Sequence, residues 1–318
     1  MKKIYLNIYK SNLVNLKKAK KILDNNNIIG MPTETVYGLA GNAYSDKSIK
    51  KIFKLKKRPP FNPLIIHFKN LEELKNNVLL NSNFLKLYKA FCPGPITFVL
   101  RKKTKSRLSK IAIVGKKTVA VRIPKHKIAR SLLSILKFPL AAPSANIASK
   151  LSPTSAKDVL DEFGNKIKFI LDGGQSQIGL ESTIIDLTGK PVILRPGSIT
   201  VEKIQKILKK KIGIKRKLKT IMVPGQLKLH YYPGIPVKMN KKHAEKNQAL
   251  IGFGKKFKVG RNYFNLSKKG SLKEAANNLY KTMRKIRKKN FGSIAVVKIP
   301  NTEIGRAIND RLRKASNK

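Results

Sequence analysis

Apolar residues along the chain switch repeatedly between a helical period and strand-like runs. Residues 11–26 (SNLVNLKKAKKILDNN) bring Leu13, Leu16, Ala19, Lys20, Ile22 and Leu23 near helical spacing, with Ser11 as candidate N-cap. A short strand at 27–31 follows. Residues 46–56 (DKSIKKIFKLK), 127–136, 155–162 and 200–209 read as helices. Residues 63–68 (PLIIHF), 96–100 (ITFVL), 118–123 (TVAVRI), 182–187 (STIIDL) and 192–195 (VILR) read as strands from their β-branched content. Together they predict a mixed α/β domain over residues 1–210.

The pattern breaks after that. KKKIGIKRKLKT is basic and nearly free of acid, and VPGQLKLHYYPGIPV carries three prolines and two glycines, which propagate neither a helix nor a central strand. An interdomain linker is therefore expected at 211–237. Beyond it come a strand (249–253), an amphipathic helix (271–288), a strand (293–299) and a last helix (304–315), the order of a small αβα, Rossmann-like domain over 238–318 with a right-handed crossover.

Composition narrows the class. A chain of 318 residues with 41% hydrophobic content is long enough for two cores. It has no apolar run near the roughly 18 residues that span a bilayer. The start, MKKIYLNIYKSN, lacks the apolar stretch of a secretory signal, so a cytoplasmic protein is expected, with no membrane partner. One cysteine, Cys92, and four scattered histidines exclude a disulfide framework and a zinc pattern. The net charge of +54 suggests nucleic acid, yet the basic residues are spread everywhere and only 13 of the 70 are arginine. Abundant Lys, Asn and Ile are what an AT-rich coding sequence produces without selection for binding. The field still steers polyanions such as ATP or tRNA, so weak RNA binding is an expected property.

Four stretches carry candidate chemistry. MPTETVYGLA (31–40) is either a turn between strands or a hydroxyl-rich wall for a small polar ligand. In LKKRPPFNPLIIHF (55–68), Lys56 and Arg58 precede two prolines; they are a solvated charge run or, in an extended segment, a pair converging on phosphate. In PLAAPSANIASKLSPTS (139–155), small residues admit close approach of a ligand to the backbone, and Ser144 and Asn146 offer a hydroxyl and an amide. LDGGQSQIGLESTIIDL is a glycine-rich loop that opens a strand at Ser182 and Thr183. Neither a P-loop, nor a complete dinucleotide fingerprint, nor GxSxG, nor HExxH is present.

Taken in order, MPTETVYGLA, Lys56-x-Arg58 in KKRPPFNPLIIH, CPGPITFVL, Ser144-x-Asn146, STIIDL and ILRPG resemble the Sua5/YrdC family of threonylcarbamoyl-AMP synthases. HYYPGIPV and IGRAINDRLRKAS resemble the linker and carboxy-terminal end of its longer, Sua5-type branch. The resemblance implies a twisted sheet around a concave cavity. It also implies formation of L-threonylcarbamoyladenylate and pyrophosphate from L-threonine, bicarbonate and ATP, for t6A modification of tRNA. By the same resemblance, Thr35, His67, Arg122, Ala142 (through its backbone) and Ser182 match L-threonine positions. Lys56, Arg58, Asn62, Thr118, Ser144, Asn146, Ser152 and Arg195 match positions lining the nucleotide, with Lys56 and Arg58 as the catalytic pair and Tyr231 capping it from the linker. From the residues alone, His67 also reads as a satisfied core histidine, Arg122 as a partner of Asp186, and Tyr231 as an exposed linker tyrosine. Ala40 stands where the family usually has glycine.

The implied reaction needs no covalent nucleophile, which leaves Cys92 a structural role, and Mg²⁺ is expected on the ATP oxygens rather than in a protein cage. The expected recipient of the adenylate is the t6A transferase machinery. Because an acyl adenylate hydrolyses readily, the linker is expected to open and close the cavity. Two other readings are an RNA-binding factor without catalysis, and a carbamoyltransferase of hydrogenase maturation, whose acylphosphatase and cysteine-rich zinc segments this chain lacks.

Overall fold

The structure is a computed structural model that describes residues 7–215, 221–257 and 260–317. Among them the first eleven strands are β1 (Ile8–Lys10), β2 (Ile29–Met31), β3 (Gly38–Asn42), β4 (Ile65–His67), β5 (Ile96–Arg101), β6 (Thr118–Arg122), β7 (Leu140–Ala141), β8 (Ile170–Asp172), β9 (Thr183–Asp186), β10 (Val192–Arg195) and β11 (Gly213–Ile214). They form one sheet in the order β1-β8-β2-β3-β7-β4-β6-β5-β9-β10-β11. Pairing is mixed: β4 runs parallel to β6 and β5 to β9, while β7 is antiparallel to β4 and β5 to β6. The twisted mixed α/β sheet expected from the sequence is therefore present.

The alternation within the strands decides what each face does. In β4, Ile66 joins the large core with Val121, Phe98 and Leu64, beneath helices such as Asp46–Lys56 and Ser82–Phe91. Its neighbour Ile65 points the other way, into a small apolar cluster with Val99, Ala120, Ile184, Leu194 and the linker residue Val223. Helices cover one face of the sheet; on the other, helices Leu13–Asp24 and Lys127–Ile135 pack over Ile29, Met31, Ala40 and Leu140, and the linker closes over the part around Ile65 and Ile184.

Helix boundaries follow local chemistry. The first helix spans Leu13–Asp24, and its N-cap is Asn12, whose side chain accepts from the Asn15 amide at 2.9 Å, rather than Ser11. Helix Ala156–Phe163 opens with a complete Ser155/Asp158 capping box. Helix Asp46–Lys56 ends at Lys57 in a left-handed conformation (φ 49°), so Lys56 and Arg58 are not two residues of one extended strand.

The second sheet contains β12 (Val237–Met239), β13 (Gln248–Gly252), β14 (Tyr263–Asn265) and β15 (Ser293–Val296), all parallel, in the order β12-β15-β13-β14. Helices Leu272–Arg287 and Gly305–Ala315 complete it, and its core takes in Val36, Leu151 and Leu180 from loops of the first sheet. The seam is also polar. Asn277 donates to the carbonyls of Ser176 and Gln177 at 2.8 and 2.9 Å, and Arg284 donates to that of Leu151 at 2.6 Å. Gly179 makes this approach possible, with φ +76° and an absent Cβ that would lie 2.7 Å from Asn277 backbone.

Gly179→Ala therefore combines a strained backbone with a clash against an unyielding neighbour. It is expected to cost about 1–3 kcal/mol of stability. A lower thermal midpoint and faster proteolysis within the linker would register the loosened seam.

Candidate active site

MPTETVYGLA is the connection between strands that its sequence allowed, and it is no ordinary exposed turn. It connects the antiparallel strands β2 and β3, and it turns inward, with Thr33, Glu34 and Thr35 buried. A buried loop must satisfy its backbone. Here the Ile178 and Gly179 amides donate to the carbonyls of Glu34 and Thr35, and the Ser176 hydroxyl donates to that of Thr33. The glycine-rich loop thus pins the threonine-rich one against the sheet.

Thr35 meets Arg122 at the end of β6, where Arg122 Nη1 donates to Thr35 Oγ1 at 2.9 Å. Arg122 Nη2 lies 2.8 Å from Glu34 Oε1, both side chains buried, so the partner of Arg122 is Glu34 and not Asp186. Asp186 instead caps the turn at Thr188. The Glu34 contact lies off the N–H direction, and Arg122 Nε and Nη2 have no hydrogen-bond partner in the protein, which leaves donors for a carboxylate. Burial raises the Glu34 pKa, but the Arg122 charge outweighs it and holds the carboxyl below its ordinary range. His67 is the residue paired with Arg122 in the β4–β6 register. Burial first, then the Arg122 charge, pushes its pKa down to about 3, so the imidazole is neutral, with Nδ1 unpartnered.

Beside this group lies a more strongly cationic one. Arg58 donates from Nε and Nη2 to the Asn62 carbonyl and side chain and to the Pro63 carbonyl, at 2.6–2.8 Å. Arg195, at the end of β10, donates to Ser182 O and Oγ at 2.9–3.1 Å. Lys56, fully buried, donates to the carbonyls of Ser144 and Asn146, and burial together with the Arg58 charge lowers its pKa. Lys56 and Arg58 thus occupy separate carbonyl cradles instead of converging, and Lys56 braces the turn that presents Ser144.

One cavity collects Thr35, Arg58, His67, Arg122, Ala142, Ser144, Ser182, Arg195 and Tyr231. Lys56, Asn62, Asn146 and Ser152 stand behind that wall: Asn62 holds Arg58, and Asn146 Nδ2 closes its own loop on the Ile147 and Lys150 carbonyls. Thr118 begins β6, four residues from Arg122 and so about 13 Å along the strand. Cys92 packs against the core, and burial pushes its thiol up to about 12, which suits a structural residue.

The cavity retains a free volume of about 40 Å³, room for a few waters. The linker forms one wall of it, with Pro224, Gly225, His230 and Tyr231 lining it. Tyr231, with φ +62°, is buried rather than exposed, and it lies beneath the linker turn at Gly225.

Two residues that sequence reasoning missed are Glu181 and Arg311. Glu181 lines the cavity and accepts from Ser152 Oγ at 2.5 Å, from Tyr280 OH at 3.1 Å and from Arg311 Nε at 2.9 Å. Burial raises its pKa, but Arg311 and Arg195 bring it down to about 2. A signal was available: the chain has only 16 acidic residues, and Glu34 and Glu181 each sit inside a stretch already singled out for hydroxyls.

Residues 21–197 match a family model described as telomere recombination (Sua5, YciO, YrdC), and residues 199–317 match one described as threonylcarbamoyl-AMP synthase, C-terminal domain. The chain belongs to the Sua5/YrdC family. Threonylcarbamoyl-AMP synthase of Pyrococcus abyssi is 38% identical over 91% of this chain and 90% of its own. That of Bacillus subtilis is 33% identical over 95% and 92%. The crystal structure of Pyrococcus abyssi Sua5 complexed with L-threonine superposes with a TM-score of 0.90 at 34% identity, covering 98% of both chains.

The charge pairing has measurable consequences in this Sua5/YrdC member. Arg122→Met leaves Glu34 buried and unpaired, with an expected cost of about 3–5 kcal/mol, and Glu34→Gln in the same chain is expected to restore much of it. Urea midpoints of the two single variants and the double variant measure the coupling.

The pH dependence has a defined sign. His67 and His230 are held at about 3 against an ordinary 6.5, so the unfolded chain takes up protons that the folded chain refuses, and stability falls as pH drops below about 6.5. Glu181, at about 2 against 4.5, stabilises fully above about pH 4.5, and this contribution is lost as pH falls from there toward 2. Glu181→Gln is expected to flatten that lower limb alone in urea titrations between pH 7 and pH 2.

Proposed function

We propose that this chain is an L-threonylcarbamoyladenylate synthase, a nucleotidyltransferase that makes threonylcarbamoyl-AMP and pyrophosphate from L-threonine, bicarbonate and ATP for tRNA t6A modification. The observation that carries the reading is the single cavity in which the Thr35–Arg122–His67 group adjoins Arg58, Ser144 and Arg195. Threonine occupies the first group. Its carboxylate takes the spare donors of Arg122, and its side chain and amine face Thr35, neutral His67, the Ala142 backbone and Ser182. ATP occupies the second, with phosphates toward Arg58, Ser144 and Arg195 and with Asn62, Thr118, Asn146 and Ser152 supporting its outline.

The threonine amine adds to the carbon of bicarbonate, water leaves, and the carbamate results. A carbamate oxygen then attacks the α-phosphorus, and the bond to the β-phosphate oxygen breaks to release pyrophosphate. No side chain needs to become covalent. Positioning and neutralisation of phosphate charge carry the rate, with Lys56 holding the Ser144 turn and Arg58 stabilising the transferring phosphoryl group.

Mg²⁺ enters with ATP. Among the described residues no three His, Cys, Asp or Glu side chains converge, and Glu34 and Glu181 are both committed to arginines, so phosphate oxygens and water are its natural ligands. Nucleotide entry requires the turn at 223–231 to withdraw and Tyr231 to reseat over the bound nucleotide, which shields the acyl adenylate from water. The working units we assign are residues 1–210, a linker at 211–237 whose first residues lend β11 to the large sheet and whose last, Val237, opens β12, and 238–318. The compartment is the cytoplasm, and the basic exterior adds a salt-sensitive attraction for tRNA near the t6A transferase machinery that receives the product. No helix among the described residues is long and apolar enough to cross a membrane.

Purified protein is expected to release pyrophosphate only when L-threonine, bicarbonate and MgATP are all present, with threonylcarbamoyl-AMP detected by mass. Lys56→Ala and Arg58→Ala should each lower the rate by about a hundredfold or more. Pyrophosphate release indifferent to threonine, or salt-dependent RNA binding as the sole activity, would remove the assignment.

A further inference from the structure

The nucleotide wall contains a carboxylate, which is an unfavourable neighbour for a polyphosphate. Glu181 lines the cavity next to Ser182, close to Arg195 and Tyr231, and it is buried. Its compensating cation comes from the far end of the chain. Arg311, in helix Gly305–Ala315, is wholly buried and donates from Nε to Glu181 Oε2 at 2.9 Å and from Nη1 to the Pro196 carbonyl and Asp310. The same guanidinium lies 5.2 Å from the centroid of the Tyr231 ring, within cation–π range. Tyr280, in helix Leu272–Arg287, donates to Glu181 and stacks against Tyr231 at 5.8 Å. The helix bearing Arg311 also fixes the linker, since the His230 amide donates to the Lys314 carbonyl at 3.2 Å.

We propose that Arg311, assisted by Tyr280, is a positioning residue for the nucleotide: it cancels the Glu181 charge in the phosphate-facing wall and seats the Tyr231 ring from below. The inference rests on the function proposed above. The large sheet supplies the carboxylate and the second domain supplies the countercharge, so the nucleotide half of the cavity is electrostatically complete only when both are docked. The threonine half takes packing but no countercharge from the second domain, because Glu34, Thr35 and Arg122 pair among themselves. Loss of Arg311 would leave Asp310 with Lys314 but would leave Glu181 without its ion-pair partner, drawing instead on the charge of Arg195, which the phosphates also need.

The test is equilibrium binding of ATP and of L-threonine, each by calorimetry, to the full chain and to Arg311→Met, Arg311→Lys, Tyr280→Phe and the double variant Glu181→Gln/Arg311→Met. Arg311→Met is expected to weaken ATP binding by about thirtyfold or more, with threonine affinity within about threefold of the parent. Arg311→Lys keeps the charge and is expected to lose less, and Tyr280→Phe less again. Removal of the offending carboxylate in the double variant should bring ATP binding back to within about fivefold of the parent. Equal loss of both ligands, or no recovery in the double variant, would overturn the proposal, because a merely structural arginine predicts either. If Arg311→Met does not fold, the double variant decides by the same ATP criterion. Because binding is read without turnover, a parent chain that binds both ligands but makes no threonylcarbamoyl-AMP would refute the assigned reaction separately.

Discussion

Five cations, Lys56, Arg58, Arg122, Arg195 and Arg311, are buried at or beside one cavity, and the surrounding structure is arranged to keep them there. A buried charge without partners costs several kcal/mol, so each must be solvated by the protein. Two different means are used. Arg122 and Arg311 face carboxylates, Glu34 and Glu181. Lys56, Arg58 and Arg195 face mainly backbone carbonyls. Carbonyl dipoles stabilise a cation without cancelling its long-range field, whereas a carboxylate cancels it. The cavity is consequently near-neutral where a zwitterionic amino acid is proposed to sit, and positive where the polyphosphate is.

The same constraint explains why the linker belongs to the site. Its Val223 and Met222 complete an apolar cluster on the sheet face, against Ile65, Ala120, Ile184 and Leu194, which would otherwise be exposed. Residues 224–231 then continue over the arginines. Gly225 permits this course, because with φ +85° it lies where a Cβ would come 2.9–3.0 Å from the Tyr231 hydroxyl and Arg195 Cδ. A covering held by a small apolar cluster and a few hydrogen bonds is cheap to lift compared with a strand of the sheet.

Sequence periodicity disclosed the long elements because each contains its own signal. Helix Leu272–Arg287 has its stripe of Ala275, Leu279, Met283 and Ile286, and β5 and β6 are dense in β-branched residues. What it missed is short or non-local. Strands β1, β8, β11, β12 and β14 have two or three residues and exist only because distant partners lie alongside, as Ile8 does beside Ile170. Helix Ser82–Phe91 is hard to read from sequence although Asn81 caps it, since KLYKAF blurs the apolar stripe. Strand β3, GLAGN, has neither aromatic nor β-branched residues and is stabilised by pairing with β2 and β7. The site was legible as a set of segments but not as a set of contacts. The spacing of Lys56 and Arg58 could not reveal the left-handed Lys57 between them, and no local pattern could couple Glu181 to a residue 130 positions later.

Compositional bias concealed the site and also marks it. Charge alone is uninformative in a chain with 70 basic residues, and 57 of these are lysines. Wherever a positive charge only needs to face water, lysine serves as well as arginine, so a coding bias toward lysine is free to convert such positions. A buried cation that must meet several acceptors in a plane needs the guanidinium fork, and there the conversion is resisted. The burial pattern follows this division: Arg58, Arg122, Arg195 and Arg311 are buried among only 13 arginines, whereas Lys56 is the sole lysine among the described buried residues. In a lysine-rich sequence the residual arginines, rather than the net charge, therefore indicate where an anion-handling interior has been built.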